Sequence, residues 1–267
     1  MTESLEADVR QIAATEDDTF SDHADMTFDE EEPSEMEPSI ATNLDLVEKR
    51  ISAACQRSGR ARKDVLLVAV SKTFPVEAID SAVRAGVSDI GENRVQEMRS
   101  KLDLLASKPR LHLIGSLQSN KVKPAVAMFD VIQTVDSLSL ATRIARESEI
   151  AGRMVELFIQ VNVGSEPQKG GIEMRDAGKL ASQVAALPHV ALTGLMAIPP
   201  FGPAEETRLY FRKLRALHEE LRRDLSDSFR ALSIGMSDDF DVAIEEGATV
   251  IRVGRGIFGT RSSNAGG

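Results

Sequence analysis

From Leu44 onward, hydrophobic residues recur alternately at helical spacing and in short continuous runs. Leu44, Val47, Ile51 and Ala54 fall on one stripe and predict a helix over 44–57. Apolar, β-branched runs predict strands over 65–71, 88–90, 111–114, 130–134, 155–163, 190–196, 231–234 and 249–253. Helical patterns fill the gaps near 75–85, 93–106, 119–128, 137–151, 173–187, 204–224 and 238–246, several of them opening on Ser, Asp or Pro. Strands such as Leu157-Phe158-Ile159-Gln160-Val161 are apolar along nearly their whole length, which suits a parallel sheet buried on both faces. The prediction is an α/β fold, a (β/α)8 TIM barrel, with a doubly wound open sheet as the alternative.

Charge divides the chain differently. Residues 1–39 hold fourteen acidic residues against one basic, Arg10, so the net charge of -10 belongs to this segment and the remainder is weakly positive. The segment lacks sustained apolar periodicity and contains Asp29-Glu30-Glu31-Glu32-Pro33, the composition of a disordered tail. Residues 1–39 are expected to be a disordered acidic tail, a solvated extension rather than a specific interaction element, and residues 40–267 a single barrel domain. The near-neutral barrel gives no electrostatic reason for nucleic-acid or membrane binding. One cysteine, Cys55, excludes an internal disulfide, and no apolar stretch approaches membrane length; a cytoplasmic protein is expected. The histidines show no metal-ligand spacing, so no metal is expected.

Barrels of this kind carry their chemistry at the C-terminal strand ends. Those ends hold Ser71-Lys72, Gly91-Glu92-Asn93, Gly115, Asp136, Asn162, Met196, Gly235-Met236-Ser237 and Arg252-Val253-Gly254. A lysine at a strand end can form a Schiff base with an aldehyde, and backbone N–H groups at the turn Gly254-Arg255-Gly256 can hold a phosphate. Pyridoxal 5′-phosphate (PLP) carries both groups.

Seven segments in register resemble the PLP homeostasis protein family, single-barrel relatives of the alanine racemase N-terminal domain. They are Ala69-Val70-Ser71-Lys72-Thr73, Gly91-Glu92-Asn93-Arg94-Val95-Gln96-Glu97, His112-Leu113-Ile114-Gly115-Ser116-Leu117-Gln118-Ser119-Asn120-Lys121, Gln160-Val161-Asn162, Gly194-Leu195-Met196-Ala197-Ile198, Gly235-Met236-Ser237-Asp238-Asp239 and Val253-Gly254-Arg255-Gly256-Ile257-Phe258-Gly259. The resemblance spans about residues 44–261 and departs at Leu111, where Trp is common, and in the acidic tail. It implies PLP fold type III, with Lys72 as the Schiff-base lysine and Ser237, Gly254 and Arg255 as the phosphate cradle. Whether Arg255 adds its guanidinium or only its N–H stays open. Arg252 is implied to face the pyridine nitrogen, where a fixed cation disfavours ring protonation and weakens the cofactor as an electron sink. Asn93 is implied to line the pocket, its alternative being a helix cap, and Met196 to pack against the cofactor, its alternative being core. Lys121 reads as a solvated helix lysine, and Asp238 and Asp239 as caps.

An alanine racemase also needs a tyrosine from a second domain on the opposite face of the cofactor. The one tyrosine here, Tyr210, falls in the predicted helix 204–224, and the chain stops soon after the last strand. The expectation is therefore a PLP carrier or buffer with little or no turnover, with a fold-type-III enzyme such as an amino-acid racemase as the alternative. Apo PLP-dependent enzymes and amino acids are its candidate partners, and a monomer or weak dimer its expected state.

Overall fold

A computed structural model describes residues 39–166 and 169–260. The expected tail, Ser39 apart, lies outside the described residues. Ser39 is the N-cap of the first helix, α1 (Ile40–Arg57), its Oγ accepting the Thr42 N–H at 3.2 Å. That cap starts α1 one turn before the predicted Leu44, and the predicted stripe is its buried face.

Among the described residues nine strands follow, β1 (Leu66–Val70), β2 (Asp89–Glu92), β3 (Arg110–Leu113), β4 (Val131–Val135), β5 (Val155–Asn162), β6 (Ile172–Glu173), β7 (Val190–Met196), β8 (Ala231–Ser233) and β9 (Val250–Val253). Between them run α2 (Val76–Arg84), α3 (Val95–Leu102), α4 (Val122–Met128), α5 (Leu138–Ala151), α6 (Met174–Ala185), α7 (Ala204–Leu221) and α8 (Phe240–Glu245), with α9 (Arg255–Phe258) after β9. Every pairing is parallel, in the order β4-β3-β2-β1-β9-β8-β7-β5, and β4 also pairs with β5. The sheet therefore closes on itself, and the open-sheet alternative falls. The two-residue β6 hangs from β5 through Val161 opposite Ile172. It is too short to leave a periodic signature, and its second residue is where the predicted helix 173–187 begins.

Closure gives each strand an outer and an inner face. In β1, Leu67 and Ala69 pack outward with helix residues such as Ile51 and Ile79. Val68 turns inward and forms a separate layer with Val131, Phe158, Met196 and Val250. This layer plugs the barrel from below, so a cavity can exist only above it, at the C-terminal strand ends.

Helix α7 buries one ionisable group. His218 lies 5.1 Å from the Phe229 ring, centroid to centroid, and its Nε2 is buried with no hydrogen-bond partner. Burial, aided by the charge of Arg222, pushes the imidazole down to about 4. The unfolded chain takes up this proton near the ordinary 6.5, the folded chain only near 4. Stability is thus complete above 6.5 and lost as the pH falls through that window. Denaturant unfolding between pH 7 and pH 4 should show stability falling with pH, and His218→Leu should flatten the part of the slope that belongs to this window.

Candidate functional site

The loops after the strands enclose a cavity of about 1260 Å³ at the C-terminal end of the barrel. Lys72, Asn93, Ser237, Arg252, Gly254 and Arg255, which the sequence places at separate strand ends, all line it. Met196 does not. It is fully buried in the apolar layer below, so the packing role against a cofactor gives way to a core role.

Lys72 follows β1 directly, and among the described residues its amine has no hydrogen-bond or ion-pair partner. Its neighbours are tightly held. Ser71 Oγ donates to Glu92 Oε1 at 2.7 Å, and the Thr73 N–H donates to Glu97 Oε1 at 2.5 Å. Lys101, reaching in from α3, joins both anchors by donating to Glu92 Oε1 at 2.7 Å, Glu97 Oε1 at 2.8 Å and the Ser71 carbonyl at 3.2 Å. Burial pushes the Glu92 carboxyl above its usual range, with Lys101 and Ser71 opposing. At Glu97 burial also disfavours the charge, but Lys101 and the Thr73 N–H outweigh it and hold the carboxyl low. Thr73 sits at φ 68°, a region that β-branched residues rarely enter. The clip thus fixes an unfavourable backbone and leaves the intervening side chain aimed at the cavity.

The loops after β8 and β9 form the adjoining wall, since β9 pairs with β1. Gly235 has φ 90°, and a Cβ there would stand 2.6 Å from Ala243 Cβ and 2.9 Å from Phe240 Cα, so only glycine can make this turn. Its carbonyl accepts the Arg252 N–H at 3.0 Å, tying the two loops together. Ser237 Oγ accepts N–H groups from Gly254 at 3.2 Å and Gly256 at 3.5 Å. Two N–H groups of one turn therefore converge on a single acceptor oxygen, the arrangement an anion needs. Arg255 turns its guanidinium to Asp238 at 2.5 Å, both side chains largely exposed. In this structure the Arg255 side chain thus serves a rim ion pair. Asp239 caps the same loop by accepting the Met236 N–H at 2.6 Å.

Arg252 forms the floor, and a line of hydrogen bonds runs from it across the barrel interior. Its Nη1 donates to Ser233 Oγ at 2.6 Å and its Nη2 to the Ala197 carbonyl at 3.0 Å. Ser233 donates to Gln133 Oε1 at 2.6 Å, and Gln133 Nε2 to His112 Nδ1 at 3.0 Å. His112 then donates from Nε2 to Asp89 at 2.8 Å. With the Gln133 amide oxygen accepting from Ser233, every later link runs in the same direction. Burial lowers Arg252 to about 10, Asp239 opposing, which leaves it cationic at neutral pH with no carboxylate in contact.

Asn93 lines the cavity and does not cap α3; the cap position is taken by Arg94 without a side-chain bond. Sequence reasoning missed the line Ser233-Gln133-His112-Asp89. Its signal was present as polar residues at the inward positions of otherwise apolar strands. Also missed were Ser116, Gln118, Lys121, Thr134 and Gln160 as lining residues. Tyr210 is not among the residues that line the cavity. An unpaired amine, a convergent N–H turn and a fixed cation between them fit a planar molecule bearing an aldehyde and a phosphate.

Lys101→Met should test the clip. It strands Glu92, whose side chain is 0% exposed, and should cost about 3–5 kcal/mol in denaturant unfolding. Lys101→Met with Glu92→Gln should recover part of that loss.

Residues 42–262 match the family described as alanine racemase, N-terminal domain. A pyridoxal phosphate homeostasis protein of Aquifex aeolicus is 42% identical over 220 residues, covering 82% of this chain and 96% of its own. That of Escherichia coli K12 is 39% identical over 236 residues, covering 83% and 97%. Among solved structures, PipY of Synechococcus elongatus PCC7942 with PLP bound is 39% identical and superposes with a TM-score of 0.70 over 80% of this chain and 100% of PipY; its PLP-free form gives 0.72. An alanine racemase of Clostridium difficile, 15% identical, shares the fold with a TM-score of 0.63 over 83% of this chain and 58% of the racemase.

Proposed function

We propose, from the premise that this chain belongs to the alanine racemase N-terminal domain family, that it binds pyridoxal 5′-phosphate and acts in PLP homeostasis, holding and releasing the cofactor. The observation that carries this reading is the unpaired Lys72 amine sharing one cavity with a turn whose N–H groups converge on one acceptor. When bound, PLP supplies an aldehyde that condenses reversibly with a primary amine. Lys72 presents that amine, with its backbone immobilised by the Lys101 clip. Ser237 and the N–H groups of the Gly254-Arg255-Gly256 turn would take the phosphate. Arg252 would meet the pyridine nitrogen with a fixed positive charge and Asn93 would flank the ring.

The same arrangement supports holding over turnover. A cation at the ring nitrogen disfavours a second positive charge there and so limits carbanion stabilisation. Among the described lining residues Asp238 is the one carboxylate, and it is engaged by Arg255. Apo PLP-dependent enzymes and amino acids are the proposed recipients, and the cytoplasm the proposed location. Among the described residues no helix is long and apolar enough to cross a membrane.

Borohydride reduction of the PLP-loaded protein followed by peptide mass mapping should place the pyridoxyl group on Lys72. Label on Lys121 or Lys169 would refute the assignment. Ser237→Ala should weaken PLP binding by about 1.5–3 kcal/mol, and pyridoxal, lacking the phosphate, should bind far more weakly than PLP. Racemisation of an L-amino acid at enzymatic rates, read by chiral chromatography, would replace the carrier reading with the racemase one.

A further inference from the structure

The phosphate turn is gripped from outside the barrel as well as from within. Among the described residues α1 is the one helix with no strand before it, and it packs against α8 and α9, the two helices that follow the cradle loops. Asn43, Val47 and Arg50 fall on one face of α1, at i, i+4 and i+7. Asn43 Nδ2 donates to the Ile257 carbonyl at 3.0 Å, and a Cβ at Gly256 would stand 3.4 Å from Val47 Cγ2, so one end of this face sits on the segment after β9. Arg50, at the other end, reaches the segment after β8. Its Nη2 and Nε donate to Asp241 Oδ2 at 2.7 and 3.2 Å, its guanidinium carbon lies 4.1 Å from the centre of the Phe240 ring, and its Nη1 donates to the Ser237 carbonyl at 3.5 Å.

These contacts matter because of how the β8 loop is suspended. Gly235 to Asp239 lie between β8 and the first turn of α8. Near β8 the loop is held by the Arg252 N–H on the Gly235 carbonyl. Its other end is Phe240 and Asp241, the first two residues of α8, and Arg50 engages both. Ser237 stands between these anchors and reaches the Gly254 and Gly256 N–H groups through its side chain alone, so its own main chain is fixed from the Arg50 side. Arg50 is not among the residues that line the cavity.

We propose that Arg50 is a positioning residue for the phosphate. It fixes the start of α8 and the Ser237 main chain, keeps the β8 loop and the Gly254-Arg255-Gly256 turn at the spacing at which one phosphate reaches both, and so sets the preference of this chain for phosphorylated over unphosphorylated pyridoxal. The inference rests on the PLP reading above. Letting the loop drift lengthens charge-assisted hydrogen bonds to the phosphate and leaves the Lys72 end of the site, on β1, where it was.

The test measures dissociation constants of PLP and of pyridoxal for the full-length protein by equilibrium dialysis. R50M should weaken PLP at least about tenfold and leave pyridoxal within about twofold. Arg57 joins Glu245 at 2.7 Å, a second ion pair between the same two helices and two turns further along α1. R57M should therefore leave both affinities within about twofold. R50K can keep one bond to Asp241 but not the fork, and should hold its melting temperature while still weakening PLP about threefold or more. An equal loss for PLP and pyridoxal in R50M, or a loss in R57M as large as in R50M, would make Arg50 a structural tie and overturn the inference. Wild-type PLP affinity in R50K would do the same. So would recovery of wild-type PLP affinity in R50M/D241N, which would trace the loss to repulsion of the phosphate by an uncovered Asp241. Equal affinity of the unaltered protein for PLP and pyridoxal would instead overturn the phosphate cradle itself and this inference with it.

Discussion

A guanidinium in the interior of a closed barrel must find acceptors there, and satisfying Arg252 organises the middle of this molecule. The apolar layer of Val68, Val131, Phe158, Met196 and Val250 lies below it. Two residues further along the same strands the character changes, from Val250 to Arg252, Val131 to Gln133 and Ala231 to Ser233. The arginine donates, and donation passes through Ser233, Gln133 and His112 to the carboxylate of Asp89, crossing from β9 to β2. Positive charge therefore stands at the cavity floor, answered through space by Asp239 and, at the end of the hydrogen-bonded line, by Asp89 on the other side of β1.

The two walls above that floor are built by unlike means. The Lys72 wall depends on a buried ion cluster, in which Lys101 bridges Glu92 and Glu97 and Lys72 takes no part. The adjoining wall depends on backbone, with Gly235 supplying a turn no other residue can make and Ser237 gathering the N–H groups of the Gly254 turn. A main-chain bond from Arg252 to Gly235 ties the floor to this second wall, so a change in floor position is felt at the Gly254 turn.

Much of this was legible in the linear pattern, because a parallel barrel repeats one unit and each unit carries its own hydrophobic period. The strand ends fell where the apolar runs stopped, and that alone gathered Lys72, Ser237, Arg252 and Gly254 onto one rim. What escaped depended on neighbours in the ring. Met196 stands at a strand end like Arg252, yet ring position and inward depth decide that one is core and the other floor. Lys121 looked like a surface helix residue because nothing local says that its turn leans over the cavity. Arg255 could be placed only when Asp238, on a different strand's loop, came into reach. The early start of α1 followed from one cap at Ser39, a residue that the acidic composition around it obscured.

The line of hydrogen bonds beneath the cavity also bears on how the ligand comes and goes. Its links run between the protein's own groups, from Arg252 through Ser233, Gln133 and His112 to Asp89, so the barrel itself holds the floor in place. A floor already ordered costs a ligand little binding free energy to organise. That suits a reservoir better than a trap. Such a protein can fill and empty along the same path, its occupancy following the free concentration of its ligand with little memory of which direction the last change took.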